Sequence, residues 1–327
     1  MIDGHGDDIY SYKGVRMNFS SNIYAHADLT ELEAHLCRHI DLIRSYPEPS
    51  SHSLEAMIAH KYGVDADEVL VTSGATDAIY LIAQAFREKK TFYVYHPTFS
   101  EYEDACRLYG YEEQPDGVLY WLCNPNNPTG EVYSGSYIEA LAAQHDLLVI
   151  DQSYEDYTLA PMLSPKEAVC MGNVLQLHSM TKQYAIPGLR MGYVVGSSRL
   201  ISTLRKHDRP WAVNALAVEA GKWLLTHQQV VPNLTTYLQE TQRLREQLNA
   251  IKRVNAFDTQ TNFFLCTIEP QTAASLKDYL ATRHGILIRD AANFIGLTPH
   301  HFRIATQSPE ENDALVEAIQ QFITQQT

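Results

Sequence analysis

The run from residue 69 to residue 195 constrains the fold most, because short, continuously apolar segments alternate there with amphipathic ones. The apolar segments have the length of strands, and the amphipathic segments between them have helical spacing. We expect buried strands at residues 69–72, 92–95, 118–123, 147–150, 174–177 and 191–195. Continuous apolar strands separated by helices form a mostly parallel sheet that helices cover on both faces.

A second, shorter alternation follows and predicts a second domain. Strands are expected at residues 263–266, 286–288 and 302–305, with helices at 273–284 and 310–323. A chain of 327 residues is long enough for two unequal domains. We expect an N-terminal arm and one helix in residues 1–43 packing with the small domain, a large domain in 44–228, and a small α/β domain in 229–327.

The composition excludes several classes of function. A net charge of −14 argues against general nucleic-acid binding, although a local cluster of cations can still hold an anion. The five cysteines are scattered and form no CxxC or Cys/His ligand spacing, so we expect free thiols in a reducing cytoplasm and no metal. The N-terminus lacks the pattern of a signal peptide, and no apolar stretch reaches membrane-spanning length.

Polar residues follow the predicted strands where each strand ends. They are Thr76, Asn127, Asp151 and Ser179. In open parallel sheets, ligands bind at the carboxyl ends of the strands. A ligand site at this edge of the sheet therefore follows from topology alone.

The loop from His178 to Gly196 lies between two apolar runs and carries Lys182 and Arg190. A lysine beside desolvating strands suits covalent chemistry with a carbonyl group, and an arginine after the Pro187-Gly188 turn suits phosphate binding. Two solvated cations on a surface loop are the alternative.

The separate features become specific when they are combined. The helix start at residues 73–77 offers backbone amides to an anion, although a capped helix start is the alternative there. The rigid turn at 124–130 aims Asn127, and Tyr154 adds a phenol near the Asp151 carboxylate. Pyridoxal 5′-phosphate needs a lysine for its aldehyde, anion binders for its phosphate, donors for its ring oxygen and a carboxylate for its ring nitrogen.

NPNNPTG at 124–130, the Asp151–Tyr154 pair and HSMTKQYAIPGLRMG at 178–192 resemble motifs of the fold-type I pyridoxal-phosphate enzymes, in particular the class I/II aminotransferases. The resemblance spans nearly the whole chain and implies a large domain with a mostly parallel seven-stranded sheet. It implies that Lys182 is the Schiff-base lysine and that Asp151 contacts the ring nitrogen. The other cofactor roles that it implies are ring-oxygen contacts for Asn127 and Tyr154, phosphate contacts for Ala75, Thr76, Ser179 and Arg190, and ring stacking for Tyr102. Tyr46 resembles a tyrosine donated across a homodimer interface.

Within this class the chain resembles the threonine-phosphate decarboxylases of the cobalamin pathway and the histidinol-phosphate aminotransferases. His5-Gly6 with Asn22, the segment 209–217 and the segments around Arg289 and Arg303 favour the first group. The resemblance implies that His5, Gly6, Asn22, Asn127, Arg289 and Arg303 bind a phosphorylated amino acid. The implied reaction is decarboxylation of O-phospho-L-threonine.

Some features depart from that pattern. Asp7 and Asp8 are poor neighbours for a phosphate unless they point away, and Gln307 stands near the place of a further arginine. A terminal histidine without a ligand is an equal alternative for His5. Transamination of histidinol phosphate is the alternative reaction. A non-catalytic cofactor-binding regulator is a third reading, although the chain has no spare length or basic face for a DNA-binding segment.

Overall fold

A computed structural model of the chain describes residues 8–227 and 233–325. The strands are β1 (Met17–Asn18), β2 (Val69–Thr72), β3 (Thr91–Val94), β4 (Glu112–Glu113), β5 (Leu119–Cys123), β6 (Leu147–Asp151), β7 (Val174–His178), β8 (Gly192–Gly196), β9 (Val254–Ala256), β10 (Phe263–Ile268), β11 (Ile286–Leu287), β12 (Arg289–Asp290) and β13 (His301–Ala305). The α-helices are α1 (Thr30–Arg38), α2 (His52–Tyr62), α3 (Ala75–Ala85), α4 (Glu101–Leu108), α5 (Gly135–Gln144), α6 (Pro165–Met171), α7 (Met180–Gln183), α8 (Ser198–Arg205), α9 (Ala215–Thr226), α10 (Leu234–Asn249), α11 (Ala273–Tyr279) and α12 (Pro309–Gln325). Short 3-10 turns lie at Ile9–Ser11, Ile40–Arg44, Ala66–Glu68, Arg87–Lys89, Glu155–Tyr157 and Pro187–Leu189, and a π-helical turn lies at Leu280–His284.

A seven-stranded sheet with the strand order β2-β8-β7-β6-β5-β3-β4 organises the first part of the chain. Only β8 runs antiparallel to its neighbours, and the other paired strands are parallel. This mostly parallel sheet confirms the predicted α/β fold. Each of the six strands expected from the sequence is present. The seventh, β4, is an exposed edge pair of glutamates that no apolar pattern could indicate.

The sheet is buried on both faces, which explains its continuously apolar strands. In β5, Trp121 packs into the core with α3 and α4, while Leu122 packs into the core with α5. Burying both faces removes every side chain of such a strand from water, so the strand has no polar face to alternate with.

The second part of the chain forms a four-stranded antiparallel sheet in the order β12-β13-β10-β9. Its core takes residues from α10, α11 and α12. The arm joins this part, because β1 pairs in parallel with β11 and Phe19 is buried in the same core. No helix within the described residues is long and apolar enough to cross a membrane.

The N-terminal segment differs from the expected single helix packing with the small domain. Helix α1 ends at Arg38, and a 3-10 turn with Ile40 and Ile43 exposed follows it. Leu32 is buried in the core that contains α2 and α9, beside the large sheet. Described arm residues before α1 pack with the small sheet, and the domain boundaries at 44 and 229 stay predictions.

Candidate active site

A cavity of about 310 Å³ lies at the carboxyl ends of β2, β5, β6 and β7, beside the small sheet. It brings together nearly all of the site residues expected from the sequence. They are Asn22, Ala75, Thr76, Tyr102, Asn127, Asp151, Tyr154, Ser179, Lys182, Arg190, Arg289 and Arg303. Because β8 is antiparallel, Arg190, just before it, also reaches this edge.

Three expected residues are not among those that line the cavity. His5 and Gly6 lie outside the described residues. Tyr46 is 84% exposed, and its ring lies 5.2 Å from the Trp211 ring, centroid to centroid. Within one chain Tyr46 therefore contributes nothing to the cavity wall.

Asp151 is a buried carboxylate at the end of β6. Its Oδ2 accepts a hydrogen bond of 2.8 Å from the Tyr102 hydroxyl, and its Oδ1 accepts bonds from the Ser153 amide and hydroxyl. No described lysine, arginine or histidine forms an ion pair with Asp151. A buried carboxylate with only neutral partners is strongly stabilised by a ligand that presents a protonated nitrogen.

Tyr102 lines the cavity, and its expected ring stacking stays a prediction. It is fully buried, Trp121 stacks on it with ring planes 13° apart, and Phe99 meets it edge to face. Trp121 thus occupies one face of the Tyr102 ring, and the Tyr102 hydroxyl orients Asp151. Phe99 is half-buried and also lines the cavity, so it is a second aromatic side chain at this wall, which the sequence reasoning missed.

The turn at residues 124–130 is fixed by its own asparagines. Asn124 exchanges hydrogen bonds with the Tyr133 backbone, and Asn126 donates to the Pro97 carbonyl and accepts from Thr98. Asn127 is left to face the cavity, where its Oδ1 accepts a hydrogen bond from Arg303.

Lys182 lies in α7, a single turn whose Lys182 carbonyl accepts a 2.9 Å hydrogen bond from Tyr157. Its Nζ is 5.9 Å from the centroid of the Tyr154 ring. Burial raises the pKa of Tyr154 to about 12, although the charge of Arg303 opposes the shift. Tyr154 therefore carries its proton at neutral pH and can donate a hydrogen bond.

The start of α3 forms an anion cradle with the residues around it. No side chain caps α3, and the first amides of a helix have no partner within it. A Cβ on Gly74 would lie 2.8 Å from the Arg190 guanidinium, so only glycine permits this close approach. Ser179 and Thr181 share a 2.6 Å hydrogen bond beside the cradle. Thr181 was not anticipated, although its place one residue before Lys182 could have suggested it.

Arg289 and Arg303 face each other across the strands β12 and β13. Arg303 is 4% exposed and donates to Asn127 and to the Ser20 carbonyl, but it forms no ion pair with any described carboxylate. Arg289 is also buried and donates to Asn293. Burial lowers the pKa of Arg303 to about 10, and Arg289 adds to the shift. Like charges opposite each other are destabilising, so the pair is suited to an anion.

The arm completes the wall of the cavity. Asn22 is 1% exposed, and its amide atoms find no hydrogen-bond partner among the described residues. Asp8, a possible obstacle to a phosphate, is paired with Lys277. The Gln307 side chain accepts a hydrogen bond from the Ala25 amide and donates one to the Ile23 carbonyl, so it holds the arm against the small domain.

These residues fit pyridoxal phosphate as a set. The carboxylate of Asp151 has no cationic partner among the described residues, the α3 cradle presents amides and a guanidinium, and Lys182 lines the same cavity. Asn127 and Tyr154 supply neutral donors, as a ring oxygen requires.

Known proteins are similar to the chain along most of its length. A provisionally named threonine-phosphate decarboxylase from Caldanaerobacter subterraneus subsp. tengcongensis is 32% identical, with 96% of this chain and 92% of the relative covered. A histidinol-phosphate aminotransferase from the same organism is 27% identical, with 87% of each chain covered. The crystal structure of L-threonine-O-3-phosphate decarboxylase from Porphyromonas gingivalis superposes with a TM-score of 0.90 at 36% identity, covering 94% of this chain and 100% of that one.

The match to a protein family covers both parts of the fold and the whole cavity. Residues 15–115 and 111–319 match the family Aminotransferase class I and II. These ranges include Lys182, Asp151 and both facing arginines. The chain therefore belongs to the class I and II aminotransferase family, and it is an enzyme whose cofactor is pyridoxal 5′-phosphate.

Proposed function

We propose that the enzyme decarboxylates O-phospho-L-threonine to (R)-1-aminopropan-2-yl phosphate, a precursor of the cobalamin side chain. The observation that carries this proposal is the pair of buried, facing arginines in the cavity that also holds Lys182 and Asp151. Two buried guanidinium groups in one cavity suit a small substrate that carries both a phosphate and a carboxylate. The similarity to the decarboxylase of known structure supports the same substrate.

The two arginines have different hydrogen-bond partners, which suggests their roles. Arg303 donates to Asn127, a proposed contact of the cofactor ring oxygen, so Arg303 suits the carboxylate on the α-carbon. Arg289 is held by Asn293 and packs over Phe294, so it suits the phosphate at the far end of the substrate. We propose that Asn22, and His5 and Gly6 beyond the described residues, complete the substrate site.

The cofactor residues divide into three groups in this proposal. Ala75, Thr76, Ser179 and Arg190 bind the cofactor phosphate, Asn127 and Tyr154 bind the ring oxygen, and Tyr102, with Phe99 beside it, stacks on the ring. Asp151 keeps the ring nitrogen protonated, since the carboxylate is buried and oriented by Tyr102 and Ser153. When bound, the cofactor supplies an electron sink for the pair that remains when a bond to the substrate α-carbon breaks.

The protein decides which bond breaks and where the proton returns. Arg303 would hold the substrate carboxylate so that the bond from the α-carbon to the carboxylate breaks and CO₂ leaves without the electron pair. Lys182 Nζ would then return a proton to the α-carbon. The balance is one substrate and one proton giving one amine product and one CO₂.

Transamination of histidinol phosphate is the second candidate, and one observation favours it. The histidinol-phosphate aminotransferase relatives are 27% identical, and the facing arginines also fit their phosphorylated amine. The two reactions differ in the bond that is broken at the α-carbon, because transamination removes the hydrogen and needs a 2-oxo acid to accept the amine.

We also propose a cytoplasmic homodimer with shared active sites. Tyr46 is exposed and stands apart from its own cavity, as a residue donated to a second protomer would. The five cysteines are free, which suits a reducing compartment.

A substrate comparison tests the proposed function. The holoenzyme should have a far higher kcat/KM for O-phospho-L-threonine alone than for histidinol phosphate with 2-oxoglutarate. The reverse order would replace decarboxylation with transamination.

A further inference from the structure

A cluster of possible metal ligands lies on the outer side of the large sheet, away from the residues that line the cavity. His35 is on α1, His39 is the residue directly after α1, and Glu219 is on α9, and their ligand atoms lie within 4.8 Å of one another. The Nε2 of His35 is 2.7 Å from Glu219 Oε1, and the two imidazole rings are 4.2 Å apart between centroids.

The fold holds these three side chains together. Residues four apart on a helix point to the same face, so His35 and His39 lie side by side. Helix α1 packs on α9, and Leu32, one turn before His35, is buried in the shared core. The glutamate, 184 residues away in the chain, thus faces the histidine pair from a rigid element.

The hydrogen bonds leave His39 ready to coordinate. Its Nδ1 is 2.9 Å from the His35 carbonyl oxygen, and a carbonyl oxygen can only accept, so Nδ1 carries the proton. In the neutral ring Nε2 then has the lone pair that a metal ion requires. A hydrogen bond from Nδ1 to a backbone carbonyl is the usual way in which proteins orient a metal-binding histidine.

We propose that His35, His39 and Glu219 bind one divalent transition-metal ion of the Zn²⁺ class. Two imidazole nitrogens and one carboxylate are a donor set that zinc accepts with water as a fourth ligand. Calcium and magnesium are excluded because they prefer oxygen ligands alone. Ligand atoms on a tetrahedral zinc ion stand about 3.3 Å apart. Separations of up to 4.8 Å between the ligand atoms of these half-buried side chains would therefore shorten when an ion binds.

The ion would join α1 to α9. Helix α1 leads through the turn at Ile40–Arg44 to Tyr46, so the ion would also anchor the segment that presents Tyr46. The inference does not depend on the reaction that the enzyme catalyses.

Calorimetric titration of the tag-free holoenzyme with Zn²⁺ in phosphate-free buffer tests the site. One Zn²⁺ should bind per chain, and His39→Ala and Glu219→Gln should each lower the zinc affinity on the order of 100-fold. The loss of a ligand should cost at least as much affinity as the loss of a residue that orients a ligand. His26→Ala is the matched control, because His26 forms a 2.6 Å pair with Glu311 but belongs to no metal cluster among the described residues. Zinc should also raise the unfolding temperature of the wild type and of His26→Ala, but not of His39→Ala.

Trp223 provides a second measurement, because its ring lies 5.9 Å from that of His35. Substoichiometric Cu²⁺ should quench its fluorescence, and Trp223→Phe should remove the response. Equal zinc affinity in the wild type and His39→Ala, or no quenching of Trp223, would overturn the proposal. Unchanged cofactor absorbance and circular dichroism in the variants would exclude misfolding as the cause of a lost zinc affinity.

Discussion

Arg303 is a fully buried cation whose partners among the described residues are uncharged. Desolvation makes its charged form unfavourable unless an anion arrives, which is why burial lowers its pKa to about 10. The guanidinium is still protonated at neutral pH. In its proposed role, Arg303 gains a favourable ion pair when the substrate carboxylate binds.

Replacing Arg303 with glutamine should reduce substrate binding severely. Losing one partner of a buried, hydrogen-bonded charge pair costs about 2–5 kcal/mol, so kcat/KM for O-phospho-L-threonine should fall roughly 30-fold or more. Steady-state kinetics measure the change, with cofactor absorbance to verify the holoenzyme. Arg87→Gln is the control, because that side chain is 58% exposed and pairs with the surface residue Glu88. A kcat/KM within a factor of two of the wild type would refute the role.

Asp156 is a second charged group that burial disfavours, and it lies next to α7, the turn that carries Lys182. Its Oδ1 accepts a 2.9 Å hydrogen bond from Gln183, the residue after Lys182. Burial and then Glu155 raise its pKa to about 6, against the attraction of Lys61 and His178. The folded state therefore binds the proton more tightly than the unfolded state, and stability falls as pH rises from about 4 through 6.

Asp156→Asn should consequently stabilise the protein at pH 7.5 by about 1–2 kcal/mol, because asparagine keeps the acceptor and removes the charge. Denaturant unfolding at several pH values measures it, and the gain should vanish near pH 4, where the carboxyl is protonated. Asp146→Asn, at a 67% exposed side chain, should show no such pH dependence. A gain that is the same at both pH values would contradict the assigned cause.

Sequence reasoning predicts most of the candidate residues that line the cavity because motifs and strand ends mark them, as for Asp151 and Lys182. It misses Phe99, which lines the cavity together with Tyr102. The two residues stand three positions apart on either side of the start of α4. The packing of Tyr102 depends on Trp121, a residue of β5 that stacks on its ring and that no local pattern connects with it.

Helix α3 is the element that most directly shapes the anion cradle. Its start requires Gly74 at φ +88°, with the Arg190 guanidinium packed against the place of a Cβ. Arg190 itself adopts a positive φ of 56°. The contact between Gly74 and the Arg190 side chain therefore depends on an unusual backbone conformation at both residues.

Gly74→Ala should displace Arg190 and strain the turn by about 1–2 kcal/mol. We expect cofactor affinity to fall on the order of 10-fold, which equals about 1.4 kcal/mol of binding. Absorbance titration of the apoenzyme with cofactor measures the loss. Gly135→Ala is the matched control, since a Cβ there has no atom within 4 Å. Equal affinities for the two variants would show that the close approach is irrelevant.

The limits of sequence patterns are also visible at the level of elements. The six buried strands are predictable because both faces of the sheet are covered, whereas β4 is an exposed edge strand and β9 is a short edge strand with alternating burial. The single helix expected within residues 1–43 ends at Arg38, because Ile40 and Ile43 remain exposed and do not continue the buried stripe. The His35–His39 spacing is visible in the sequence, but its partner Glu219 is known only once α1 is placed on α9.

The molecule as a whole assembles one site from three parts of the chain: the large sheet, the small sheet and the arm. Gln307 clamps the arm at Ile23 and Ala25, and Arg303 binds the Ser20 carbonyl. Contacts between residues almost 300 positions apart cannot be read from local patterns, and the position of Asn22 in the cavity depends on them.

Shared active sites in the proposed homodimer allow a complementation test. Lys182→Ala and Tyr46→Ala homodimers should each have very low activity. A heterodimer formed by mixing and refolding or subunit exchange should regain activity at one of its two sites, because the intact lysine and tyrosine then meet across the interface. Activity of the mixture no higher than the sum of the separate variants would contradict donation of Tyr46 between protomers.

The central claim is that the enzyme breaks the bond between the substrate α-carbon and its carboxylate, so that CO₂ is released. The most direct measurement is CO₂ evolved from carboxyl-labelled O-phospho-L-threonine by the holoenzyme without any 2-oxo acid, with Lys182→Ala as the control. The account predicts many turnovers, one CO₂ for each amine product, and no turnover in the variant. Substrate consumption that yields no CO₂ and requires 2-oxoglutarate would contradict it.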